Sequence, residues 1–171
     1  LEVVYSFVGE KQGKFLDLGS GWGTVYQIMK KCGFEAHALD FSNPSNIEKS
    51  DFTFWDLDSN DSLPFPDDYF DAIACVEVIE HLTQPIKLLN EISRILKPGG
   101  KLVLTTPNIL NIRSRYNYLI NGLFSHFDWV HNGNHYEPKI DPLHGHVSPM
   151  DYYKFSWILN KFGMPIENIR T

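Results

Sequence analysis

KFLDLGSGWG, residues 14–23, is the stretch that decides the fold. Lys14 to Leu18 is a compact, mostly apolar run that reads as a strand and passes directly into glycines at 19, 21 and 23. A helical pattern follows from Gly23 to Lys31, and Gly33 closes it as a C-terminal cap would. Glycine allows the tight turn that such a junction needs and lets backbone approach a ligand closely. The start of the following helix turns unpaired N–H groups toward the same place. The spacing is G-x-G-x-G rather than the G-x-G-x-x-G of a dinucleotide-phosphate site, although a nicotinamide-dependent oxidoreductase stays open on this motif alone. Asp40 ends the next predicted strand, Phe34 to Leu39, where a carboxylate can accept from two ribose hydroxyls at once.

Outward from this unit the pattern repeats. Strands are predicted at Asp51 to Trp55, Tyr69 to Val76 and Lys101 to Thr105. A helix is predicted over Pro85 to Leu96, with Ile86, Leu89, Ile92 and Leu96 on one face. Alternating strands and helices give an α/β fold, a doubly wound, mostly parallel open sheet with right-handed crossovers. Residues 1–10 read as a short amphipathic helix. Residues 107–148 break the rhythm, with much Asn and five of the seven histidines, and read as an insert on the substrate side that begins with a helix over Ile112 to Leu123. A helix near Pro149 to Lys161 and a strand over Pro165 to Arg170 complete a single domain spanning 1–171, one strand short of the number this fold normally carries.

The 171 residues suffice for one substantial core, and 43% hydrophobic with 21% charged is ordinary for a globular protein. A formal net charge of −6 offers no electrostatic footprint for a nucleic-acid backbone. Cys32 and Cys75 have neither metal-type nor disulfide-rich spacing, and no apolar run approaches the ~20 residues of a membrane span. These features point to the cytoplasm; they do not set an oligomeric state.

FLDLGSGWG, Asp40, LPFPDDYFDAIACVEVIEHL (Leu63 to Leu82) and LKPGGKLVLTTPN (Leu96 to Asn108), in that order, resemble the class I S-adenosylmethionine-dependent methyltransferases. The resemblance covers Lys14 to Asn108 continuously and returns weakly over Val147 to Ile169. It implies a Rossmann-like methyltransferase fold with S-adenosylmethionine as cofactor. Gly19 and Gly21 would lie against the methionine portion, and Asp17 would help hold its amino group. Asp40 would take the ribose, Asp56 the adenine amino group with Leu57 packing on the ring, and backbone at Val76 or Glu77 would complete the pocket.

Glu77, Glu80 and His81 form an E-x-x-E-H cluster after the fourth strand, and on a helix these positions would share one face. Two carboxylates and an imidazole suit Mg²⁺, Mn²⁺ or Zn²⁺, and His146, or less well His144, could add a ligand. The set resembles metal-dependent RNA 2′-O-methyltransferases and quinone-pathway O-methyltransferases. Catalysis by Glu80, His81 and His146 without a metal, with His81 as a base, is one alternative, and a purely structural cluster in which His81 packs is the other. A hydroxyl on a small molecule or cell-surface sugar is the expected acceptor, because TPNILNIRSRYNYLINGLF resembles bacterial glycan-modifying methyltransferases. Arg113, Arg115 and Tyr116 read as a surface helix face, with contact to an anionic acceptor as the alternative. His126, His131 and His135, among aromatics, read as part of a substrate-covering segment.

Overall fold

The computed structural model describes residues 4, 13–42, 46–125 and 145–170. Five strands, β1 (Lys14–Leu18), β2 (Glu35–Asp40), β3 (Phe52–Phe54), β4 (Phe70–Val76) and β5 (Leu96–Thr105), form one sheet in the order β3-β2-β1-β4-β5. Every pairing is parallel. Helix α1 (Thr24–Lys31) joins β1 to β2, α2 (Pro85–Ile95) joins β4 to β5, and α3 (Ile112–Asn121) and α4 (Tyr152–Lys161) follow β5. No helix among the described residues is long and apolar enough to cross a membrane.

Side-chain alternation along the strands builds a separate core on each face. Phe15, Ala36, Ala38, Ala72 and Ala74 meet Val25, Tyr26 and Met29 of α1 on one side. The small alanines let that helix lie close to the sheet. Leu16, Leu18, Leu39, Ile73 and Cys75 meet Leu88, Leu89, Ile92 and Ile95 of α2 and Phe155, Ile158 and Leu159 of α4 on the other. Both faces are covered, which is why the central strands are apolar nearly throughout.

The LPFPDD segment is pinned by two side chains of α2. Arg94 donates to the carbonyls of Phe65 at 2.8 Å and Leu63 at 3.0 Å, while Glu91 accepts from the Leu63 N–H at 2.8 Å. One expected element fails. Residues 165–170 carry no regular structure, because a strand needs a ladder to satisfy its N–H and C=O groups and this segment pairs with no strand among the described residues. The predicted helix over residues 1–10, apart from Val4, lies outside the described residues, as do His126, His131, His135 and His144.

Candidate active site

The strand order reverses direction between β1 and β4, and in open α/β sheets ligands bind at such a point, outside the carboxyl ends of the strands. Here β1 delivers the glycine turn and β4 delivers Glu77. The turn is held against β2: the N–H groups of Gly19 and Ser20 both donate to the Leu39 carbonyl, at 2.8 and 3.2 Å. Asp40, buried at the end of β2, accepts from the Gly21 N–H at 2.8 Å through Oδ2 and from the Ser42 N–H at 3.1 Å through Oδ1. Its carboxylate therefore stands directly beside the glycine turn.

Two glycines of the turn have different tasks. Both take a positive φ, 72° at Gly19 and 50° at Gly21. A Cβ on Gly19 would meet Val78 Cγ2 at 2.4 Å, so this glycine admits a side chain from the loop after β4. A Cβ on Gly21 would meet nothing within 4 Å. That open side, facing away from protein, is where a ligand can approach the backbone. Asp17 lies beneath, buried, its Oδ2 accepting from the Tyr26 N–H at 2.9 Å. Burial pushes its carboxyl up to about 7, partly offset by that hydrogen bond and reinforced by the charge of Asp40.

Asp56 and Leu57 follow β3 at the same edge. Asp56 is exposed and its Oδ1 accepts from the Asp58 N–H at 2.9 Å, while Leu57 is half-buried against the core. Asp58 does structural work: its carboxylate accepts from the N–H groups of Thr83 and Gln84, at 2.9 to 3.2 Å, just before α2.

Beyond β4 the chain does not turn α-helical, so the expected shared face of Glu77, Glu80 and His81 does not form. Val76 ends the strand, Glu77 takes a φ of 53°, and Ile79–His81 is a single 3-10 turn. Glu77 is instead fixed by Thr105 of β5, whose hydroxyl accepts from the Glu77 N–H at 3.0 Å and donates to its carboxylate at 2.6 Å. Glu80 points inward and is fully buried. Among the described residues neither of its oxygens makes a hydrogen bond of good geometry, and His81 Nε2 stands 4.0 Å from Oε1. Burial, and beyond it the charge of Glu77, push the Glu80 carboxyl up to about 7.

His146 comes from the segment before α4, its ring 4.8 Å from that of His81, centroid to centroid. The next two residues strap it down. Val147 and Ser148 donate their N–H groups to the Glu80 carbonyl at 2.9 and 3.0 Å, and Ser148 Oγ donates to the Leu82 carbonyl at 2.6 Å. Ligand atoms of Glu80, His81 and His146 all lie within 4.8 Å of one another; Glu77 is outside this set. Thr105, Ser148 and Val78 were not singled out by sequence. Thr105 sits in a motif quoted for another reason, and nothing local marks Ser148 or Val78.

Comparison with known proteins bears on the family and the fold. A family described as methyltransferase domain matches residues 4–168. A ubiquinone biosynthesis O-methyltransferase of Xanthomonas oryzae pv. oryzae is 31% identical over 103 residues, covering 56% of this chain and 43% of that protein. A demethylmenaquinone methyltransferase of Renibacterium salmoninarum is 35% identical over 107 residues, covering 60% and 45%. The chain thus spans less than half the length of these curated relatives. A S-adenosylmethionine-dependent methyltransferase from Archaeoglobus fulgidus shares the fold over 92% of this chain and 62% of its own, with a TM-score of 0.65 at 23% identity. Strand order, glycine turn, the acid at the end of β2 and the family match converge: this chain belongs to the methyltransferase domain family, as a class I S-adenosylmethionine-dependent member.

Proposed function

We propose that this domain transfers the methyl group of S-adenosylmethionine to a hydroxyl oxygen on a small molecule. The observation that carries the reading is the placement of the Glu80, His81 and His146 cluster at the same sheet edge as the open glycine turn and Asp40. A quinone-type ring is supported by the names of the curated relatives; a cell-surface sugar rests only on the likeness of residues 106–124.

A sulfonium methyl is already activated, so the main task of the protein is alignment. Positioning of this kind is worth about 7–11 kcal/mol. Gly21 offers backbone to the cofactor, Asp40 its ribose acceptor, and Asp17 a negative charge for the methionine ammonium. On this reading Asp56 takes the adenine amino group with Leu57 on the ring, and backbone at Val76 or Glu77 completes the methionine pocket.

A hydroxyl acceptor also needs its proton managed. A fully buried carboxylate that makes no hydrogen bond of good geometry among the described residues, beside two imidazoles, fits a divalent cation. Glu80, His81 and His146 would hold Mg²⁺, Mn²⁺ or Zn²⁺, which when bound lowers the pKa of an acceptor hydroxyl. Thr105 keeps Glu77 turned aside, and Ser148 keeps His146 facing His81.

Treatment with EDTA is expected to abolish turnover while changing S-adenosylhomocysteine affinity by less than about twofold, since the cofactor contacts lie on other residues. Full turnover after chelation would remove the cation and leave proton transfer to Glu80 or His81.

A further inference from the structure

Helix α3 is built inside out. Its one buried residue is Ser114, whose Oγ accepts from the Ser125 N–H at 3.0 Å, and half-buried Asn117 donates to Ser125 Oγ at 2.8 Å. The polar edge of the helix thus faces the turn that follows it, at Ser125. Ile112, Tyr116, Leu119 and Ile120 share an arc of about 100° on the opposite side. They are exposed, Ile112 by 87% and Leu119 by 80%. Arg113 and Arg115 are exposed too and flank this apolar stripe, one on each side, with no ion pair to either among the described residues. Residues 92–127 contain no Asp or Glu.

We propose that α3 is an interfacial helix that seats the protein on an anionic lipid membrane. An apolar stripe bordered by arginines is what a headgroup boundary accepts: the stripe enters the acyl region while the guanidinium groups meet phosphate. The chain as a whole is acidic, so the attraction is local to this acid-free segment. A second copy fits the face less well, because a two-fold contact would set Arg113 and Arg115 against their own like charges without a carboxylate between them. The helix begins shortly after the carboxyl end of β5, on the edge that carries the glycine turn and Glu77. On the methyl-transfer reading above, the acceptor is then one that resides at a lipid surface; this last step rests on that reading, whereas the docking itself does not.

Co-sedimentation of the purified chain with phosphatidylcholine vesicles, with and without phosphatidylglycerol, tests the proposal without any turnover. Binding to the phosphatidylglycerol vesicles is expected to be roughly tenfold or more tighter and to weaken with salt. The pair Leu119→Ser/Ile120→Ser and the pair Arg113→Gln/Arg115→Gln are each expected to lose roughly tenfold or more of it. Thermal melting of the arginine pair should be unchanged, since neither side chain is packed. Equal or absent binding to both vesicles, or binding that survives both pairs of substitutions, overturns the proposal. So does a dimer in sedimentation velocity that Leu119→Ser/Ile120→Ser dissociates, which would assign the stripe to a second copy.

Discussion

Asp17 is held in a conflict that a cationic ligand would relieve. The carboxyl is buried, its pKa is raised to about 7, and Asp40 adds like charge. A folded-state pKa above the unfolded one means that folding takes up a proton, so the stability of the free protein falls as pH rises from about 4 to about 7. Asp17→Asn keeps an acceptor for the Tyr26 N–H and removes the ionisation. The free variant is expected to be more stable than the parent by about 2–4 kcal/mol at pH 8 and nearly equal at pH 4. At the same time its affinity for S-adenosylhomocysteine at pH 8 should fall, because the ammonium loses its partner. Denaturant unfolding at the two pH values, paired with a titration, checks both signs. A variant that is no more stable at pH 8 would contradict the conflict.

At the scale of elements, the loop after β4 is locked from three directions: by Val78 in the space beside Gly19, by Thr105 on Glu77, and by the Ser148 strap. Gly19→Ala combines strain at positive φ with a 2.4 Å approach to Val78, whereas Gly21→Ala has strain but open space. Gly19→Ala should therefore destabilise the fold by more than the ~1–2 kcal/mol of conformational strain alone, and Val78→Ala should recover part of the excess. Equal melting temperatures for the two alanine variants would refute the Val78 contact. Ser148→Ala removes one hydrogen bond, worth about 0.5–1.5 kcal/mol of stability. Its larger expected effect is a weaker hold on added Zn²⁺, read by competition with a chromogenic chelator, because His146 is no longer fixed opposite His81. Unchanged affinity there would separate the strap from the cation.

These same elements mark what the sequence could and could not disclose. The glycine turn and Asp40 are legible because apolar run, glycines and helical period change character within a few residues. Five strand positions and all four described helices are legible for the same reason, with ends off by a few residues. Glu77 was grouped with Glu80 and His81 because i, i+3 and i+4 spacing presumes an α-helix, and a positive φ followed by a 3-10 turn breaks that premise. The strap at Ser148 joins residues 66 apart in the chain, a relation no local pattern carries. The strand expected over residues 165–170 failed for the complementary reason: a strand-like composition has no meaning without a neighbour to pair with.

For the molecule as a whole, topology gathers the site. The reversal between β1 and β4 opens the carboxyl edge; the residues proposed for cofactor and cation follow the strands there, and Val147 and Ser148 strap His146 onto it. The two cores beneath are built by α1 on one face and by α2 and α4 on the other, with loop residues such as Ile79 and Leu82 joining the second. S-adenosylmethionine is expected to lie over this edge with its ribose on Asp40. Calorimetric titration with S-adenosylhomocysteine and, separately, with NADH tests it most directly. One-to-one binding of S-adenosylhomocysteine, no heat with NADH, and a loss of about 1–3 kcal/mol of affinity in Asp40→Ala are expected. Heat with NADH and none with S-adenosylhomocysteine, or an Asp40→Ala variant that binds as tightly as the parent, would contradict it.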